Sequence, residues 1–366
     1  MANLSFLIKP ASSACNLECD YCFYRDEAEH REKAVHPMMD RSVVEGLLDR
    51  SLPVADAVAY AFQGGEPMLV GLPWYEAFVS LVEQKNTRGI PISFALQTNG
   101  TLITDEWARF FAKHHFLIGV SLDGFPRLHN VHRRKKDGCR SSEDVMRGIE
   151  CLRRNKAEFN ILTVVTREVA NNIDRIWEFY QDQGFFYQQY IPCIDPIGEG
   201  DKYLDEDAYG EFLVNLGRKW ISSFATGNPV SIRLFDNFMA ILCGFSVEAC
   251  DMKGSCSVQY VIEGGGAVYP CDFYCTDAYY LGSIVTKTIK EIDGVRDELS
   301  FIASSHNSSP ACQSCPYLYL CRGGCKRYRH RDGTYRFCGS YRRLFDELLP
   351  EMKHLAERLQ KERQGH

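Results

Sequence analysis

Short apolar runs alternate with amphipathic stretches through the first two thirds of the chain. Apolar, β-branched and aromatic residues cluster at 4–8 (LSFLI), 57–62 (AVAYAF), 92–97 (ISFALQ), 116–120 (FLIGV), 159–165 (FNILTVV) and 186–191 (FYQQYI), and each cluster predicts a strand. Between and after them, spacing near the helical repeat predicts helices near 40–50, 73–87, 104–114, 142–155, 171–183 and 205–225. Asp40 and Thr104 stand where N-caps belong, and Asp105 and Glu106 follow where a helix dipole favours carboxylates. Six strand–helix units in alternation call for a parallel sheet with helical crossovers. An open sheet and a partial barrel both satisfy that pattern.

The polar residues decide between them. Gln63-Gly64-Gly65-Glu66-Pro67 follows the second strand, Gln97-Thr98-Asn99-Gly100 the third and Ser121-Leu122-Asp123-Gly124 the fourth. Thr166 follows the fifth strand and Cys193-Ile194-Asp195-Pro196 the sixth. Parallel α/β barrels gather their active sites at the C-terminal ends of the strands. We therefore expect an α/β fold whose residues 1–227 form a partial (β/α)6 TIM-like barrel.

Beyond residue 228 the reading changes. Helical alternation is expected to stop, with cysteines, glycines and short strands over 228–340 and a hairpin around Gly264–Gly266. Leu344, Leu348, Met352, Leu355 and Leu359 restore helical spacing in a C-terminal helix over 341–366. No repeat of fixed long period and no low-complexity segment interrupts this order.

Composition narrows the class of function. A net charge of −6 over 366 residues argues against nucleic acid as the main partner. The opening MANLSFLIKP lacks a basic stretch followed by an apolar run, and no apolar run approaches the length of a membrane span. A cytoplasmic protein is expected. Sixteen cysteines then stand out, because the cytosol keeps thiols reduced and uses clustered thiolates for metals or redox chemistry. They are not scattered.

Three fall in Cys15-x3-Cys19-x2-Cys22, directly after the first strand. Such a triad can hold three irons of a cubane cluster and leave the fourth open to an exogenous ligand. A zinc site short of one ligand is the bland alternative. Two glycines in Gln63–Pro67 permit close backbone approach, and Glu66 can pair with an ammonium group. Eight further thiols lie in Cys250-x5-Cys256-x14-Cys271 and Cys312-x2-Cys315-x5-Cys321-x3-Cys325-x12-Cys338. Eight suffice for two fully sulfur-ligated cubanes, or for two structural zinc sites. Five remain, Cys139, Cys151, Cys193, Cys243 and Cys275: packing is expected for Cys151 and a structural role for Cys193 and Cys275 near the proposed site, while Cys243, seven residues from Cys250, is the one most easily confused with a ligand.

The triad with its following Phe23-Tyr24, and the GGEP segment one strand later, resemble the radical S-adenosylmethionine (SAM) superfamily. The second cysteine array resembles the SPASM domain, a twin-cluster extension of peptide-modifying members. More narrowly, LIKPASSACNLECDYCFY, FQGGEP, LQTNGTLI, FNILTVVT and YPCDFY resemble the anaerobic sulfatase-maturating enzymes over nearly the whole chain. That resemblance implies oxidation of a cysteine or serine in a sulfatase to Cα-formylglycine. Relatives of similar layout instead make thioether or carbon–carbon links in ribosomal peptides; many of those carry a peptide-recognition domain before the barrel, for which the first strand at Leu4 leaves no room.

The resemblance also implies roles. SAM and three [4Fe–4S] clusters are the implied cofactors, with Cys15, Cys19 and Cys22 holding the first. Cys250, Cys256, Cys271 and Cys325 would hold the second, and Cys312, Cys315, Cys321 and Cys338 the third. Gly64, Gly65, Glu66, Ser121, Arg133 and Ile194 would contact SAM. Tyr24, Gln63 and Gln97 would hold SAM adenine or the peptide, and Asp272 would be the catalytic base. A sulfatase or other peptide and a small reducing electron-donor protein are the implied partners.

Overall fold

The computed structural model describes residues 2–32, 37–197, 200, 202–306 and 309–364. Ten strands follow along the chain: β1 (Ala2–Lys9), β2 (Ala55–Phe62), β3 (Ile92–Thr98), β4 (Phe116–Ser121), β5 (Phe159–Val165), β6 (Tyr187–Pro192), β7 (Ser231–Ile232), β8 (Tyr260–Glu263), β9 (Ala267–Tyr269) and β10 (Gly282–Ser283). The six strands expected from the sequence are all present, with ends displaced by one or two residues. Contacts divide the chain into two compact units. One comprises Met1–Ser121, Asn130–Phe159 and Val258–Phe301, the other Leu122–His129, Asn160–Ser257 and Ile302–His366.

In the first unit β1, β2, β3 and β4 lie side by side and parallel, as helical crossovers require. β8 joins β1 in parallel, placing Tyr260 beside Phe6, and β9 and β10 extend that edge antiparallel. Aromatic rings fill the core: Phe6 stacks on Tyr60 and Tyr260 at centroid distances of 5.8 and 5.2 Å, and Phe94 on Phe116 at 4.9 Å. Helices start where their caps foretell. Asp40 accepts from Val43 N at 3.1 Å ahead of Arg41–Ser51, and Thr104 from Trp107 N at 3.5 Å ahead of Asp105–Lys113.

The second unit holds β5, β6 and β7 in parallel register. Its helix Glu206–Ala225 packs against the long C-terminal helix Cys338–Gln364 through small residues. A Cβ on Gly217 would lie 2.6 Å from Leu348 Cδ1, so a larger residue there would have to displace the tip of that leucine. The C-terminal helix begins three residues before the expected 341 and keeps Leu344, Leu348, Met352 and Leu355 buried.

Two helices correct the reading that helical alternation stops at residue 228. Arg233–Leu242 buries Phe235, Phe238 and Met239 at helical spacing but has no side-chain cap to announce it. Ile289–Glu298 is announced by a capping box, in which Thr288 accepts from Glu291 N and Glu291 from Thr288 N. Both are only ten residues long, so few apolar positions mark them against the surrounding cysteines and glycines. The hairpin around Gly264–Gly266 is present as β8 and β9. Among the described residues no helix is long and apolar enough to cross a membrane.

Candidate active site

The loop after β1 carries the cysteine triad and is held by backbone bonds from the end of β2. Gly65 N donates to Ser12 O and Glu66 N to Ala14 O, each at 2.8 Å. Close approach explains the two glycines. A Cβ on Gly65 would lie 2.1 Å from Ala14 O, and Gly64 adopts φ +119°. Gly65→Ala is therefore expected to push the cysteine loop out of place. Iron and acid-labile sulfide per chain after anaerobic reconstitution should fall several-fold, and unchanged cluster content would refute this role.

Cys15 Sγ accepts from Leu17 N at 3.4 Å and from Asn99 Nδ2 at 3.7 Å, and Cys22 is the N-cap of helix Phe23–Glu29. Burial pushes the Cys15 thiol up to about 11, so a metal must displace its proton on binding. All three cysteines are partly buried. Among the described residues, no three His, Cys, Asp or Glu side chains converge on a single metal ion. A cubane fits this donor set better than zinc does, because each thiolate binds its own iron at a separate corner.

Glu66 is fully buried beside that loop. Its carboxylate accepts from Met68 N at 3.0 Å, Thr98 Oγ1 at 2.8 Å and Asn99 N at 2.8 Å. Desolvation nevertheless raises it to about 7. Asn99 donates to Asn16 Oδ1 at 2.8 Å, and Asn16 donates to Thr101, so the end of β3 is tied to the cysteine loop. Gln97 Nε2 donates to Ser121 Oγ at 3.0 Å. Arg133 is buried, with its guanidinium 5.4 Å from the Tyr21 ring centre.

A second constellation gathers around Asp272, in the turn after β9. Tyr24 OH donates to Asp272 Oδ2 at 2.6 Å, and Gln63 Nε2 reaches both the Tyr24 hydroxyl and Asp272 Oδ2, the latter at 3.2 Å. Lys9 Nζ lies 2.9 Å from Asp272 Oδ1, 3.6 Å from Glu263 Oε1 and 3.2 Å from Cys275 Sγ. Arg31 closes the array on Glu263 at 2.8 Å. Burial opposes the charge on Lys9, but Asp272, Cys275 and Glu263 outweigh it and hold its pKa well above the ordinary lysine value. Burial likewise pushes Glu263 up, and Lys9 and Arg31 reverse it. Burial and the Asp272 charge raise Tyr24, which therefore remains a donor.

Sequence reasoning singled out Tyr24, Gln63 and Asp272, which the structure brings together, and missed Lys9, Arg31 and Glu263. A lysine closing an apolar strand is ordinary. Its place at the C-terminal end of β1 was the available signal.

The second unit holds most of the later cysteines. Cys312, Cys315, Cys321 and Cys338 line one pocket with Tyr317 and Tyr341. Cys250 and Cys256 lie close enough to Cys325 to add to the burial that pushes its thiol up to about 12. Ile194 is buried after β6, where the adjacent Asp195 pairs with Arg336 at 2.5 Å. Cys271 belongs to the first unit, at the N-cap of the turn Asp272–Tyr274. Cys151, Cys193 and Cys275 are buried, Cys243 is partly buried and Cys139 is exposed.

Residues 10–180 match the model of the radical SAM superfamily. The chain is 41% identical over 98% of its length, and 99% of the relative's, to a cysteine-type anaerobic sulfatase-maturating enzyme of Clostridium novyi. It belongs to the anaerobic sulfatase-maturating enzymes of the radical SAM superfamily. A serine-type sulfatase-maturating enzyme of Klebsiella aerogenes is less similar, 31% identical over 96% of this chain and 87% of its own. The solved structure of native anSMEcpe with bound AdoMet and Kp18Cys peptide superposes with a TM-score of 0.91 at 37% identity. That match covers 97% of this chain and 99% of the other. The sulfatase-maturating family thus accounts for the α/β fold with its cysteine-rich C-terminal part, and makes this chain an enzyme.

Proposed function

We propose that the protein oxidises a cysteine of a sulfatase to Cα-formylglycine in the cytoplasm. The observation that carries this reading is the Asp272–Tyr24–Gln63–Lys9 constellation, in a chain 41% identical to a cysteine-type maturase. Cysteine is preferred to serine as the target because the serine-type relative stands lower, at 31%.

Cys15, Cys19 and Cys22 would hold a [4Fe–4S] cluster that, with SAM on its open iron, supplies a 5′-deoxyadenosyl radical to take a hydrogen atom from the substrate Cβ. Glu66 would bind the SAM ammonium; Gly64, Gly65, Ser121, Arg133 and Ile194 would complete the SAM site, and Gln97 would hold the adenine or the peptide. Asp272 would accept the substrate thiol proton, with Tyr24 and Gln63 fixing its Oδ2 and Lys9 its Oδ1. Loss of that proton, the Cβ hydrogen and one further electron leaves a thioaldehyde, which water converts to the aldehyde with release of hydrogen sulfide. By the family resemblance Cys250, Cys256, Cys271 and Cys325, and Cys312, Cys315, Cys321 and Cys338, would hold two more clusters able to accept that electron. Residues 1–227, 228–340 and 341–366 would then be the barrel, the SPASM domain and a closing helix, and a small reducing protein would deliver the first electron.

The reading makes SAM binding depend on pH through Glu66, whose carboxyl burial raises to about 7. Below that value the side chain is neutral and cannot pair with an ammonium. SAM affinity of the reconstituted protein should fall about tenfold from pH 8 to pH 6, since one pH unit below a pKa leaves about a tenth of the group ionised. Titration calorimetry of the wild type and Glu66→Gln checks this. Equal affinities at both pH values would remove Glu66 from the SAM site.

The function itself is tested by incubating anaerobically reconstituted, dithionite-reduced protein with SAM and a peptide carrying Cys-x-Pro-x-Arg. Mass spectrometry should find the peptide about two hydrogen masses lighter, or its hydrolysed aldehyde, alongside 5′-deoxyadenosine. SAM cleavage with an unchanged peptide would overturn the formylglycine reading in favour of a crosslinking maturase.

A further inference from the structure

The cysteine loop carries a basic strap of which the chemistry above uses Arg133 alone. Residues 133–140 (RRKKDGCR) contain five cations and one carboxylate, in a chain of net charge −6. The strap is a hairpin: Arg134 and Arg140 form an antiparallel bridge, and Lys135 N donates to Cys139 O at 2.9 Å. Its first arm is bonded to the triad loop itself. Glu18 N donates to Arg134 O at 2.8 Å, Asp20 N to His132 O at 3.3 Å, and Leu17 bridges Lys135. These bonds use backbone, and Arg134 Nε also donates to Asn130 O at 3.2 Å, which fixes the side of the hairpin on which that cation stands. Arg133 is turned inward against Tyr21, and Lys135 pairs with Asp144 at 2.5 Å. Arg134, Lys136 and Arg140 are exposed.

We propose that this hairpin is the docking surface for a small acidic protein carrying a low-potential one-electron centre. The inference rests on the radical SAM reading and names the place where its electron enters. Each docking event would transfer one electron: the donor is oxidised by one, the iron site on Cys15, Cys19 and Cys22 is reduced by one, and no bond forms or breaks. Electron transfer requires close approach, and this hairpin is bonded to the residues that stand between the cysteines of the triad. Local positive charge on an otherwise acidic chain steers an acidic partner to that spot and repels it elsewhere. Nucleic acid fits less well, because an extended polyanion would meet the net negative charge beyond the short hairpin.

Two measurements on the full, reconstituted chain test the proposal, with an acidic flavodoxin as the probe. Binding of the oxidised flavodoxin, followed by biolayer interferometry, should weaken at least tenfold in Arg134→Glu/Lys136→Glu and lose most of its salt dependence. The milder Arg134→Ala/Lys136→Ala should weaken it several-fold and serves if charge reversal disturbs folding. With SAM and the cysteine peptide, flavodoxin-driven turnover should fall in the variants while dithionite-driven turnover stays unchanged. Wild-type affinity in both variants, a parallel fall with both reductants, or loss of RNA binding in place of flavodoxin binding would overturn it. Failure of dithionite to drive peptide oxidation in the unaltered chain would sink the formylglycine reading instead, and the binding measurement would still decide the docking surface.

Discussion

Asp272→Asn is expected to lower peptide oxidation by about a hundred- to ten-thousand-fold, the usual loss on removing a positioned general base, while 5′-deoxyadenosine still forms. Asparagine is nearly isosteric and can still accept the hydrogen bond that Tyr24 now gives to Oδ2 at 2.6 Å. It cannot take a proton from a thiol, and it leaves the Lys9 ammonium without its nearest carboxylate at 2.9 Å. Peptide mass and 5′-deoxyadenosine, quantified in the same reaction, separate these effects. Product lost while SAM cleavage persists places Asp272 after hydrogen abstraction. Product formed at the wild-type rate would exclude it as the base, and joint loss of both signals would mean the substitution had damaged the SAM site.

The second large effect concerns Lys9. Its ammonium is buried between Asp272 and Glu263, so Lys9→Met leaves carboxylates facing one another without the cation that joined them. Breaking a buried pair on one side costs about 3–5 kcal/mol. Urea unfolding of reconstituted protein should show a markedly lower midpoint. The double variant Lys9→Met/Asp272→Asn should recover part of that loss, because it removes both ends of the interaction. Strictly additive losses would contradict the pairing. Lys9→Arg is not expected to substitute, since a planar guanidinium cannot take the place of a compact ammonium touching Asp272, Glu263 and Cys275 together.

The parallel strands were legible because their apolar runs end abruptly in glycine, asparagine and aspartate, and the caps at Asp40 and Thr104 marked helix starts. The helices at 233–242 and 289–298 were harder to see. Short helices offer too few periodic positions to be distinguished from a cysteine-rich background, even where a capping box stands at Thr288.

The candidate site divides in the same way. Close spacing in the chain exposed the cysteine triad and the GGEP segment, since chemistry that needs three thiolates together or two glycines in a row leaves a local signature. Composition and spacing by themselves therefore determined a cysteine-rich α/β protein built for metal chemistry at its strand ends. Only the tertiary structure assembled Lys9, Arg31, Glu263 and Asp272, residues up to 263 positions apart, into one buried charge array. It also spent the two glycines on the backbone of the cysteine loop and laid the 133–140 hairpin against that same loop. A buried ion pair is selected by desolvation and distance in three dimensions, and neither quantity is written in the order of the residues.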